Sequence, residues 1–205
     1  LHRDPHRMTV SARTTRLDAD VDLVDVAGAD GVVFEKGPDG LAGRGEALRI
    51  EVPSLRAEHL VAVDDALRSI DVVDEVERPG TGPVAFAALP FDPSAAAAFV
   101  VPELVVGRSA DGTRWLTRVG GGAAPEVPLA AAAVEERRAT RYVVEAVQDP
   151  HDWMGLVRDA TKAIADGAFE KVVLARELRV ESDGPVPRLA LLRRLRRAFP
   201  GCFSF

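Results

Sequence analysis

The segment Phe169-Glu170-Lys171-Val172-Val173-Leu174-Ala175-Arg176 sets a primary amine in a strand-like apolar run. Strand alternation puts Phe169, Lys171, Val173 and Ala175 on one face. An amine flanked by Phe169 and Val173 loses water on folding, and desolvation disfavours its ammonium form. Its pKa is then driven from about 10.4 towards about 7–8, where it works as a general base near neutrality. The plainer alternative is that Lys171 guards a strand end, with its ammonium reaching back to solvent.

Other groups carry weaker signals. His2 and His6 have the spacing of metal ligands on a helix, but Pro5 spoils that helix. Gly43-Arg44-Gly45 lacks the third glycine of a dinucleotide-binding turn, since Leu48 occupies its place, so a hairpin bulge is expected there. His59 and His151 have no partner in sequence and are not assigned to catalysis. Cys202 follows a Pro-Gly turn and reads as a small buried apolar residue.

The elements that would hold Lys171 follow from pattern. The spacing predicts a helix from Asp149, with Pro150 at its first position and Asp152 complementing the dipole. Trp153, Leu156, Val157, Ala160 and Ile164 form its apolar stripe, and Gly167 stops it. This helix delivers the chain into the Lys171 segment. Upstream, strands are expected at 23–26, 31–35, 41–52, 84–89, 99–106, 114–119 and 141–146, with turns at Gly37-Pro38-Asp39-Gly40 and Asp111-Gly112. Trp115 alternates inward. Ser54 is expected to cap a helix reaching Ile70, and a further helix is expected over 129–139. The glycine run 120–122 marks a possible subdomain break near 120–125. A last helix, 187–199, points Leu191, Leu192, Leu195 and Phe199 inward. Its outer face carries Arg188, Arg193, Arg194, Arg196 and Arg197, either solvated or open to an acidic partner or nucleic acid.

The chain has 205 residues, 47% hydrophobic and 28% charged, enough for one domain or two small ones. Its net charge of −6 argues against general nucleic-acid affinity. One cysteine allows no internal disulfide, which suits a reducing cytoplasm. No apolar run has the length of a membrane span, and no signal peptide is visible.

Phe169–Arg176 resembles the lysine-bearing strand of the chorismate-utilising enzymes, specifically the isochorismate synthases. Three earlier pieces agree in order and spacing. They are Leu41-Ala42-Gly43-Arg44-Gly45-Glu46-Ala47-Leu48-Arg49, then Ala88-Leu89-Pro90-Phe91-Asp92-Pro93, then Val101–Arg108 followed by Arg114–Thr117. The resemblance runs from about Phe34 to Phe205. It implies an α+β fold of antiparallel sheets packed back to back with outer helices, incomplete in this chain, and a cytoplasmic enzyme of menaquinone or siderophore biosynthesis. It implies chorismate as substrate and Lys171 as general base, because water-using relatives carry lysine here and aminating ones carry glutamine. It implies Mg²⁺, with glutamate ligands expected beyond residue 205, and a glutamic acid donor in a Gly-x-(Ser/Thr)-Pro-Glu segment. That segment does not occur in these 205 residues. The expectation is therefore a disordered start over 1–16 and the N-terminal portion of a chorismate-binding domain over 17–205, inactive by itself. A salicylate synthase of the same family, or a non-catalytic partner-binding module on the same fold, are the alternatives.

Overall fold

A computed structural model describes residues 10–121, 127 and 140–205. They fall into two compact units, 1–134 joined by 188–205, and 135–187. The second unit is thus an insertion in the first.

The first unit contains β1 (Ser11–Arg16), α1 (Leu23–Ala27), β2 (Val32–Lys36), β3 (Asp39–Arg44), β4 (Leu48–Val52) and α2 (Ala57–Arg68). These are followed by β5 (Asp71–Asp74), β6 (Phe86–Ala87), β7 (Ala97–Val101), β8 (Leu104–Arg108) and β9 (Arg114–Val119). Six strands form one sheet in the order β2-β3-β8-β9-β1-β5, and three form another in the order β4-β7-β6. Pairing is antiparallel except between β1 and β5. The two sheets share a core in which Ala12 and Val119 of the first meet Val101 and Leu48 of the second. Helix α1 packs its buried Leu23, Val26 and Ala27 against Ala42 and Val106, and α2 lays Val63 and Leu67 on Val52 and Ala97. This is the α+β architecture of antiparallel sheets with helices laid over them that the resemblance implies.

Several boundaries differ from expectation. Residues 11–16, assigned to a disordered start, form β1 inside the large sheet, where Thr14 and Thr117 are fully buried and share a 2.8 Å hydroxyl hydrogen bond. Leu23–Val26, expected as a strand, is helical, because the Asp22 carboxylate accepts from the Val24 N–H and caps the turn. The expected strand 41–52 divides into β3 and β4, which belong to different sheets, so Gly43-Arg44-Gly45 marks a crossing rather than a hairpin bulge. Pro102 similarly separates β7 from β8. Ser54 lies two residues ahead of the α2 N-cap position, Arg56, and its hydroxyl instead meets His59 Nδ1 at 2.7 Å. The β2–β3 turn places Gly37 at φ 57° ahead of Pro38, the geometry of a two-residue hairpin turn.

Trp115 is buried as expected, and its indole N–H donates to the Gly80 carbonyl at 3.0 Å. Its ring lies across Gly107 of the neighbouring strand. A Cβ at Gly107 would stand 2.1 Å from Trp115 Cε2, inside any permitted contact. Gly107→Ala is therefore expected to cost about 1–3 kcal/mol by displacing the ring. A urea titration showing no loss of stability would remove the close approach from this account.

The second unit holds β10 (Tyr142–Ala146), α3 (Pro150–Ala165) and β11 (Leu178–Ser182). β10 and β11 form an antiparallel two-stranded sheet, closed at its base by the Asp183 carboxylate, which accepts from Thr140 and Arg141. Helix α3 is capped as its sequence predicts. Asp149 accepts from the His151 N–H, and the Gly167 and Ala168 N–H groups close on the carbonyls of Ile164 and Ala163. Its stripe, expected to be buried, contains no buried residue; Leu156 and Ile164 are 42% and 38% exposed. A stripe becomes core only where an opposing surface covers it, and none of the described residues buries this one.

The last helix, α4 (Arg188–Ala198), belongs to the first unit. Ser204, beyond it, exchanges both backbone hydrogen bonds with Glu35 on the outer edge of β2. The helix expected at 129–139 lies outside the described residues, as does most of the expected break near 120–125.

Candidate functional site

Lys171 is the residue the sequence selects, and the structure places it in the segment 168–177 between α3 and β11. That segment has no strand, contrary to expectation. Extended backbone becomes a strand only when a neighbour completes its ladder, and among the described residues none pairs with 169–176. Lys171 is exposed, and Phe169 and Val173 beside it are 53% and 89% exposed. The desolvation expected around the amine is absent in this arrangement.

The first unit carries its own concave site. A cleft of about 390 Å³ opens between the β2–β3 hairpin, the 78–80 loop and β8. Phe34, Leu41, Trp115 and Phe203 give it apolar walls, and Lys36, Arg78 and Arg108 supply positive charge. Phe203 stacks on Phe34 at 5.2 Å between ring centroids, and Lys36 Nζ stands 4.8 Å from the Phe203 ring centre. Arg108 Nε is buried without a hydrogen-bond partner among the described residues. Glu35 and Asp39 also line it, and Arg78 and Arg108 are paired with Asp111 and Glu35, so the lining is of mixed charge.

Behind the cleft lies a charge network. Glu35 is 1% exposed, and its carboxylate accepts from Arg108 at 2.9 Å and from Arg196 at 3.1 Å. Arg196 also forks onto both oxygens of Asp22, at 2.9 and 2.5 Å, and Arg193 pairs with Asp25. The Arg196 guanidinium holds the Asp22 carboxyl below its usual 3.8, and Asp22 in turn raises Arg196. With its folded pKa depressed, Asp22 adds stability above its unfolded value and loses it as pH falls through the folded one.

These contacts change part of what the sequence implies for α4, since Arg188, Arg194 and Arg197 are exposed as expected and Leu192 is half-buried. Arg193 and Arg196, read as part of an outer basic face, point into the molecule, while Leu191, Leu195 and Phe199, read as inward, are 46%, 45% and 58% exposed. Glu35 is buried and Asp22 and Asp25 are part-buried, and carboxylates so placed demand cations at close range. Cys202, expected buried, is exposed. The sequence did hold a signal for the network. Glu35 directly follows the apolar run Val32-Val33-Phe34, and Arg108 follows Leu104-Val105-Val106-Gly107, where a buried charge needs a partner.

No group of three or more His, Cys, Asp or Glu among the described residues could hold a metal ion. No helix among them is long and apolar enough to cross a membrane.

Residues 34–205 match the family described as chorismate binding enzyme. The chain belongs to the chorismate-binding enzymes. It is 36% identical over 131 residues to a MenF protein of Mycobacterium tuberculosis, a match covering 62% of this chain and 30% of that one. To the isochorismate synthase MenF of Bacillus subtilis it is 30% identical over 146 residues, covering 60% of this chain and 31% of that one. The chain thus spans about a third of the curated relatives it matches. The fold agrees with the menaquinone-specific isochorismate synthase MenF from Escherichia coli, with a TM-score of 0.56, 21% identity and coverage of 92% of this chain and 45% of that one.

Proposed function

We propose that these residues form the base-bearing portion of an isochorismate synthase, which isomerises chorismate to isochorismate. The observation that carries this is the family match over residues 34–205, which contains Lys171 at the position where the resemblance places the water-activating lysine. Neutral Lys171 takes a proton from water as that water's oxygen bonds to the ring carbon next to the one bearing the carboxylate. The ring double bonds shift, and the hydroxyl on the far side of the conjugated system leaves, protonated by an acid as it goes. One water enters and one departs, so the change is an isomerisation. The glutamic acid donor that the resemblance implies has no matching Gly-x-(Ser/Thr)-Pro-Glu segment in these 205 residues. A cytoplasmic location is part of the same reading.

The test is to incubate the natural-length protein with chorismate and Mg²⁺ and to resolve the products chromatographically. Isochorismate formed with Mg²⁺, lost with a chelator, and carrying ¹⁸O when the solvent does, is the expected result. Salicylate with pyruvate would move the protein to the salicylate synthases. No consumption of chorismate would overturn the enzymatic reading. The 205 residues alone are expected to give no turnover.

A further inference from the structure

Helix α4 leaves its apolar side in water. Leu191, Leu195 and Phe199 recur at every fourth residue, so they share one face, and each keeps roughly half its surface exposed. Phe199, one residue past the helix, still donates its N–H to the Leu195 carbonyl. A stripe of this kind ordinarily turns inward, because burying it is the main gain a surface helix makes on packing. The opposite face prevents that here. Arg196 forks onto Asp22 and also reaches Glu35, while Arg193 pairs with Asp25. A bidentate fork and a second ion pair three residues away are directional contacts, and together they fix how α4 is turned. Rolling the leucines inward would break them and leave the buried Glu35 with Arg108 alone. The stripe is held outward by the charges behind it.

Charge decides what fits on it. Arg194 and Arg197, three residues apart, run beside the stripe; both are exposed, and neither has an ion-pair partner among the described residues. Arg188, at the start of the helix, is also exposed and uses one N–H on the Ala29 carbonyl. On a chain of net charge −6 this is a local cationic ridge, and its complement carries apolar groups flanked by carboxylates. An 11-residue helix presents that ridge in a line, so a second helix laid along it matches the spacing. We infer that the outer face of α4 is a docking surface for an acidic amphipathic helix of a partner protein. A helical partner meets α4 alone, whereas an anionic membrane would also face, and be repelled by, the rest of a net-negative chain.

The test titrates the natural-length protein, by fluorescence anisotropy, with a synthetic helix of about 18 residues carrying leucines four apart flanked by glutamates. A second helix has lysines in place of the glutamates. The glutamate helix is expected to bind at least about tenfold more tightly than the lysine helix. Arg194→Glu/Arg197→Glu should reverse that preference, and Leu191→Ser/Leu195→Ser should weaken the glutamate helix about tenfold or more. All four positions are exposed, so the urea midpoints of both variants should stay at the wild-type value. Equal binding of the two helices, or no effect of the arginine pair, would overturn the inference. A midpoint lowered by the serine pair would overturn it too, by showing that another part of the same chain covers the stripe. A dimer that the serine pair dissociates would assign the face to a second copy. Tighter binding to phosphatidylserine vesicles than to the glutamate helix would assign it to a membrane. None of these readouts involves Lys171 or chorismate, so the result stands apart from the enzymatic reading.

Discussion

Lys171→Ala in the natural-length protein is expected to lower kcat for isochorismate formation by about 10²–10⁴-fold, the usual contribution of a general base. KM should stay within about threefold, since the amine is assigned to the water and not to the substrate carboxylate. Lys171→Gln should do the same, and with ammonia supplied it tests whether this one position separates the two branches of the family. The exposure of Lys171 in the described unit makes the substitution close to neutral for folding, within about 0.5 kcal/mol. A loss of rate can then be read as chemistry. Turnover at the wild-type rate would end the case for this lysine as the base.

Glu35→Ala is expected to be the most damaging single change to the fold. It leaves Arg108 and Arg196 facing one another across the site of a carboxylate that is 1% exposed. Removing one member of a buried ion cluster costs about 3–5 kcal/mol, because the partners stay buried and uncompensated. Both arginine side chains keep about a quarter of their surface in water, at 24% and 26%, so the lower end of that range applies. Against a typical total of about 5–15 kcal/mol this is a large fraction. Glu35→Gln, which keeps an acceptor, should cost visibly less. Urea unfolding of the three proteins decides the matter, and a loss under about 1 kcal/mol for alanine would show that the carboxylate is not holding its surroundings.

How far the fold could be read varied with what each segment has for a neighbour. Alternation found β2 and β9, turn chemistry found the 37–38 and 111–112 turns, and capping residues found α3, because each of those signals is local. β1 was missed because Ser11-Ala12-Arg13-Thr14-Thr15-Arg16 has hardly any apolar residue. Its inward side is small and polar, satisfied by a hydroxyl pair with Thr117 that only tertiary structure creates. α1 was misread because five residues, four of them buried apolar, fit a buried strand as well as a helix. The crossings at Gly45 and Pro102 were missed because a run that continues in sequence can change sheets without changing composition.

The site was legible in a different way. Lys171 stands out by motif, yet nothing local says what surrounds it, and an isolated segment cannot supply its own ladder. The charges of the first unit were visible singly but not as partners. Glu35, Asp22 and the arginines of α4 are far apart in the chain, and a helix with leucines on one side and arginines on the other reads by default as docking through the leucines. Only the demand of three carboxylates near the protein interior reverses that choice.

The long reach of that cluster bears on how the polypeptide leaves the ribosome. Arg108 follows Glu35 by 73 positions and Arg196 follows it by 161. At about 5–20 residues per second, the second guanidinium emerges roughly 8–32 s after the glutamate it serves. From the emergence of Arg108 to that of Arg196 the nascent sheet carries a carboxylate with one of its two guanidinium partners, so the N-terminal strands gain their final rigidity only when a helix made much later arrives to lock them.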